Sequence, residues 1–176
     1  MNFKTLQHET IFSGRVFNLE HVRMELPNGE IRSYDLVNHK AAVTIVPIDE
    51  AGNIVFVRQY RVGADQELLE LPEGVLDEGE DPGEAAAREV REETGMAAGN
   101  MRYLGSFFMS PGYSSEYMHI FLATGLYPAP LEQDDDEFLQ LETFPAAKAL
   151  QMARSGEIHD GKTLAALLMA ESFLPV

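Results

Sequence analysis

Spaced apolar and β-branched residues fill positions 5–13 and 16–26, the pattern of half-buried strands. Pro27-Asn28-Gly29 follows, a hairpin turn because Asn-Gly accepts the positive φ angles such a turn needs. Residues 31–38 then return as the partner strand. Residues 41–48 (AAVTIVPI) are nearly all apolar, which predicts a strand buried on both faces. Asp49-Glu50-Ala51-Gly52-Asn53 predicts a turn, 54–60 (IVFVRQY) pairs back, and 63–66 reads as a loop. The best-marked helix spans 81–95. Asp81 caps it, Pro82 suits the first helical position, Glu84 completes a capping box, Ala85, Ala86 and Ala87 favour helix, and Gly95 ends it. Strands at 101–109 and 117–124 are joined by SPGYSSE, and a polar, acidic loop covers 132–137. A strand at 138–144 leads into a helix from Pro145 to about Ser155, and a last amphipathic helix covers 161–173. Strands interleaved with helices predict an α/β/α layered domain around a mixed sheet.

Composition narrows the classes of function. The 176 residues suit about one domain with a sizeable core. Apolar residues make up 45% and charged residues 24%, which excludes a disordered or fibrous chain. Twenty-nine acidic against 13 basic residues give a net charge of −16. Such a chain repels a nucleic-acid backbone and an anionic lipid surface, so neither is an expected partner. The absence of cysteine excludes disulfides, thiol catalysis, thiolate zinc sites and iron–sulfur clusters. Any metal must therefore take oxygen or imidazole ligands. The apolar run Leu164–Ala170 is too short to span a bilayer, and MNFKTLQHET carries no apolar signal core. The expectation is a cytoplasmic protein.

The candidate chemistry lies in Gly74–Met96, GVLDEGEDPGEAAAREVREETGM. With Glu89 at zero on a helix, Glu92 falls at roughly −60° and Glu93 at roughly +40°, so three carboxylates share one side. Their mutual repulsion is relieved by cations. Hard divalent cations such as Mg²⁺ prefer oxygen ligands, and Arg88 and Arg91 at helical spacing offer a protein-only alternative.

The same segment resembles the complete Nudix hydrolase signature: Gly74, then Glu80, then Arg88-Glu89-Val90-Arg91-Glu92-Glu93-Thr94-Gly95-Met96, with every fixed position filled. The resemblance extends over most of the chain. It implies the Nudix α/β/α sandwich over 39–176, preceded by extra antiparallel strands in 1–38. It also implies cleavage of a nucleoside diphosphate linked to another group, with Mg²⁺, Mn²⁺ or another divalent cation as cofactor. By the same resemblance Glu89, Glu92 and Glu93 match metal ligands, Glu92 and Glu93 are catalytic, and Glu73 lends its backbone carbonyl to a metal. Arg88 and Glu80 match a pair that holds the loop–helix–loop in shape, Gly74 matches a tight backbone position beside the metals, and Gly95 closes the motif.

Several features resemble the ADP-ribose pyrophosphatase branch of that family. Pro111 stands sixteen residues after Gly95, in a loop SPGYSSE that ends in Glu116. FVRQYR (56–61) and LELPEG (69–74) look like the same branch. The resemblance assigns Arg61 and Glu70 to substrate contact, adds Pro111 to that surface, and makes Glu116 the candidate that orients or deprotonates the attacking water. Arg58 or Arg61 offers a planar fork of donors to a phosphate. Residues 1–38 correspond to a region that such relatives use to build a homodimer. The alternatives are a pyrophosphatase for another nucleotide sugar such as GDP-mannose, and a nucleotide-binding module without catalysis. No box glutamate is missing, which favours an enzyme. His8, His21, His39, His119 and His159 show no ligand spacing, and the Asp134-Asp135-Asp136-Glu137 run is a second, weaker candidate for the base.

Overall fold

The computed structural model describes residues 1–132 and 138–175. The acidic run 134–137 therefore lies outside the described residues. The chain forms two compact units, residues 1–41 with 107–117, and residues 42–106 with 118–176.

In the first unit an antiparallel meander comprises β1 (Lys4–Ser13), β2 (Phe17–Glu25) and β3 (Ile31–His39). Gly29 turns the chain at φ 84°, where a side chain would be strained. The Asn28 side chain accepts the Glu30 N–H at 3.1 Å. Register shifts between Thr5 and Gln7 and between Thr10 and Phe12 mark irregularities in the β1–β2 ladder. The loop that ends at Glu116 joins this unit as a short extra rung. The Val37 N–H donates to the Tyr113 carbonyl at 2.8 Å, and the Ser115 N–H donates to the Val37 carbonyl at 3.0 Å. The extra N-terminal antiparallel strands expected from sequence are present.

The second unit holds a four-stranded mixed sheet of order β7-β4-β9-β8 and a three-stranded sheet of order β10-β5-β6. Their strands are β4 (Ala42–Pro47), β5 (Asn53–Arg61), β6 (Gln66–Glu70), β7 (Glu73–Val75), β8 (Met96–Phe108), β9 (Tyr117–Pro128) and β10 (Gln140–Pro145). β4 runs parallel to β9 and antiparallel to β7. All six β4 residues are buried, which accounts for its continuous apolar run. Val43 and Ile45 pack with Ala85, Ala86, Val90, Phe121 and Ala123 in one core cluster, so that face of β4 seats helix α1 (Pro82–Thr94). Helix α2 (Ala146–Ser155) packs on β5 and β10, and α3 (Gly161–Ala170) packs on β4. The molecule is thus the mixed α/β fold expected.

Three elements differ from the sequence reading. β8 begins at Met96, directly after Gly95, instead of at 101. Its first residues include exposed Gly99 and Asn100, which hide the strand pattern. β6 and β7, at five and three residues, are not among the strands expected from sequence, because their glutamates interrupt the apolar alternation. The last helix stops at Ala170 and tightens into a 3₁₀ turn over Glu171–Phe173.

Candidate functional site: a carboxylate cluster on helix α1

Helix α1 is fixed at both ends by its own sequence. The Asp81 carboxylate accepts the N–H groups of Gly83 at 2.8 Å and Glu84 at 3.4 Å, satisfying donors the helix leaves open. Gly95 closes it in the left-handed conformation at φ 72°, its N–H on the Arg91 carbonyl at 3.0 Å. Between these caps Ala85, Ala86 and Val90 are buried against β4 and hold the helix in rotation, with Glu89 and Glu93 buried beside them.

Those two carboxylates are 8% and 2% exposed, a costly placement for acids without counter-charge or donors. The backbone supplies a donor. The Glu73 N–H donates to Glu93 Oε2 at 2.9 Å. Glu89 lies over Gly74 so closely that a Cβ added there would stand 1.9 Å from its carboxylate. A side chain there would force the Glu89 carboxylate to move, a steric reason for glycine that involves no positive φ. Arg88 gathers the other acids. Its Nε and Nη2 grip Glu80 at 2.9 Å each, and its Nη1 reaches Glu89 at 2.6 Å and Glu92 at 2.9 Å. Its Nη2 also donates to the Val75 carbonyl at 3.3 Å. The hydrogen bond from Arg88 holds the Glu80 carboxyl below the usual carboxylate range. One guanidinium charge shared among Glu80, Glu89 and Glu92 leaves the cluster rich in anionic oxygen. That donor set, all hard oxygen, fits a divalent cation of the Mg²⁺ type.

The flanking strands bring a second acidic group. Oxygens of Glu70, Glu73 and Asp160 lie within 4.8 Å of one another. Arg61 Nε reaches both Glu70 oxygens at 3.0 Å, its Nη2 reaches Glu70 Oε2 at 2.6 Å, and Nη2 also donates to Glu73. Lys162 Nζ sits 3.3 Å from Glu73 Oε1 and 2.7 Å from Asp160 Oδ1. Burial drives the Glu73 carboxyl well above its ordinary range; Lys162 and Arg61 oppose that rise, and Glu70 and Asp160 add to it. For Lys162, burial is outweighed by the carboxylates of Glu73 and Asp160, so its ammonium is held charged. Composition and spacing gave no sign of Asp160 or Lys162. Only the packing of α3 brings both beside Glu73.

The remaining sequence candidates are placed as follows. Arg58 and Arg61 are three apart on β5 and so point to opposite faces of their sheet. Arg58 pairs with Glu142, two residues along from its direct partner Gln140 on β10. Arg61 pairs with Glu70 and Glu73 and remains 37% exposed, whereas Glu70 is fully buried. Pro111 and Glu116 belong to the first unit. Pro111 is exposed, and Glu116 is half-buried, its N–H on the Ser114 hydroxyl at 3.1 Å and its carbonyl accepting the Met109 N–H at 3.1 Å.

Comparison with known proteins agrees with this geometry. The family model of the NUDIX domain matches residues 38–167. A methanol dehydrogenase activator of Bacillus methanolicus is 40% identical over 166 residues, 93% of this chain and 90% of the relative. An ADP-ribose pyrophosphatase of Bacillus subtilis is 37% identical over 166 residues, with the same coverage. The crystal structure of an ADP compounds hydrolase superposes with a TM-score of 0.88 at 32% identity, covering 98% of this chain and 94% of that one. The filled signature, the glycine pressed against Glu89 and the likeness along nearly the whole chain lead to one conclusion: the chain belongs to the Nudix family of hydrolases.

Proposed function

We propose that this chain hydrolyses the pyrophosphate bond of ADP-ribose, or of a close ADP-sugar, to AMP and a sugar 5-phosphate. The observation that carries the reading is the buried pair Glu89 and Glu93 on one face of α1, with Gly74 and the Glu73 N–H set against them. The relatives of like length point to the substrate class.

Glu89, Glu92 and Glu93, with the carbonyl of Glu73, are the oxygens that would hold Mg²⁺ or another divalent cation. Such a cation supplies charge for the phosphate oxygens and acidifies a bound water. Arg88 keeps Glu89 and Glu92 from splaying apart. Glu116 takes the proton from the attacking water as general base. Arg61 presents its exposed edge to a phosphate, its other edge being fixed by Glu70 and Glu73. The net charge of −16 leaves the protein unable to attract a polyphosphate by itself, which favours a substrate with two phosphates over one with three.

A hydrolysis panel of ADP-ribose, GDP-mannose and nucleoside triphosphates in Mg²⁺ tests this. ADP-ribose should show the highest kcat/KM, with AMP among the products. Faster cleavage of GDP-mannose moves the assignment to another nucleotide sugar. Preference for triphosphates removes it, and no cleavage of any member makes the chain a binding module.

The apolar residues of the N-terminal strands support a homodimer. Ile11, Phe12, Val16 and Phe17 are 41–58% exposed. A two-fold pairing that covers them is the commonest way to hide such a surface. Among the described residues no helix is long and apolar enough to cross a membrane.

A further inference from the structure

Glu70, Glu73 and Asp160 form an acidic group beside the box, but cations of the chain itself already stand among them. The Lys162 ammonium lies between Glu73 and Asp160, at 3.3 Å and 2.7 Å. The group is therefore a buried ion-pair network, and its consequence lies in what it holds.

Asp160 is 6% exposed and serves two purposes. Its Oδ2 caps α3 by accepting the Thr163 N–H at 2.7 Å, and its Oδ1 accepts Lys162 at 2.7 Å. The fully buried Thr163 accepts the Leu71 N–H on its hydroxyl at 2.9 Å, tying the first turn of α3 to the chain between β6 and β7. Lys162 then fixes the Glu73 side chain, whose other oxygen, Oε2, is buried without a hydrogen-bond partner. The same Oε1 also accepts Arg61 Nη2, so Lys162 and Arg61 hold the carboxylate from two sides and loss of Lys162 leaves it on a single cation. Its own N–H holds Glu93 Oε2, and the next residue is Gly74, on which Glu89 rests.

We propose that Lys162, locked by Asp160, is a positioning residue for the metal-binding end of the box. Together with Arg61 it fixes Glu73, and thereby the Glu73–Gly74 backbone that sets the carboxylates of Glu89 and Glu93. The inference rests on the metal-dependent reading above. It also has a sign that a bare electrostatic effect lacks. A lysine near a cation site repels the cation, so deleting it on charge grounds alone tightens metal binding. Deleting a residue that shapes the ligands loosens it, by about 10-fold or more, as for other groups that orient metal ligands.

Titration of the purified chain with Mn²⁺, read by electron paramagnetic resonance without substrate, separates the two. Lys162→Met should bind Mn²⁺ at least about 10-fold more weakly than the parent. Its KM for ADP-ribose at saturating metal should change far less. Lys162→Arg, which keeps a cation within reach of both carboxylates, should recover most of the affinity. Asp160→Asn keeps the cap and loosens only the lysine, so it should show a smaller loss in the same direction while melting near the parent temperature. Unchanged or tighter Mn²⁺ binding by Lys162→Met overturns the proposal while the metal-dependent reading stands. A parent chain whose Mn²⁺ affinity is unaltered by Glu93→Gln overturns both.

Discussion

At the scale of single residues, the site is organised by contacts with little tolerance. Glu93 is 2% exposed and accepts a backbone N–H, and glutamine keeps its shape while removing its charge. Glu93→Gln should therefore fold, with a melting temperature at or above the parent, yet lose most of its turnover at saturating Mg²⁺. A variant with near-normal rate would take Glu93 out of the mechanism. Gly74→Ala places a methyl where the Glu89 carboxylate now lies. The carboxylate must move, so the Mg²⁺ concentration for half-maximal rate should rise by about 10- to 100-fold. An unchanged metal requirement would show that Glu89 is free to shift at no cost. For Glu116, proton transfer predicts a kcat lowered by about 10²-fold in Glu116→Gln with a smaller change in KM. Steady-state kinetics decide this. A near-normal kcat would leave the base to another group.

At the scale of elements, the loop that leads into α1 is held by one ion pair. Arg88 grips both oxygens of Glu80, which also accepts the Asp77 N–H at 2.8 Å and so fastens the turn. The Arg88 hydrogen bond lowers the folded-state pKa of Glu80. A lowered acid contributes stability that is fully present above its unfolded pKa, about 4.3, and is lost as pH falls through the lower folded value. Glu80→Gln should therefore cost about 1–3 kcal/mol at neutral pH. It should also flatten the parent's loss of stability below about pH 5. Urea melts at pH 7 and at pH 3.5 check both; a gap between parent and variant that does not narrow at the lower pH would remove Glu80 from the acid response. β5 shows a second effect at this scale. Its alternation sends Arg58 to Glu142 and Arg61 to Glu70, so the two arginines that each offered a fork of donors to a phosphate are committed to different faces.

At the scale of the whole molecule, the N-terminal meander carries apolar surface that its own unit leaves open. β1 is exposed along its entire length, and its Ile11 and Phe12 are more than half exposed. Covering that surface with a second copy gives the expected outcome of a dimer in light scattering at micromolar concentration. Phe12→Glu with Ile11→Glu should yield a monomer of much reduced activity. A parent that is monomeric and fully active would rule the dimer out.

Local order was legible in the sequence wherever it was also local in cause. Asp81, Pro82 and Gly95 bound α1 because caps act within one turn of the residues that make them. The continuous apolar run of β4 announced a strand buried on both faces, and Asn28-Gly29 announced the hairpin. Helical spacing alone put Glu89 and Glu93 on one side of α1. What the tertiary structure decided is how distant charges share a buried space. Glu67, Glu70 and Glu73 broke the alternation of β6 and β7, so both strands were hidden, although ion pairs with Arg61 and Lys162 make the burial of Glu70 and Glu73 tolerable. Asp160 and Lys162 carry no motif of their own. They reach Glu73 only because α3 packs on β4 and its Thr163 binds the Leu71 N–H. A sequence read along one dimension records which residues have charge; the partner that makes a buried charge affordable is settled by packing in three.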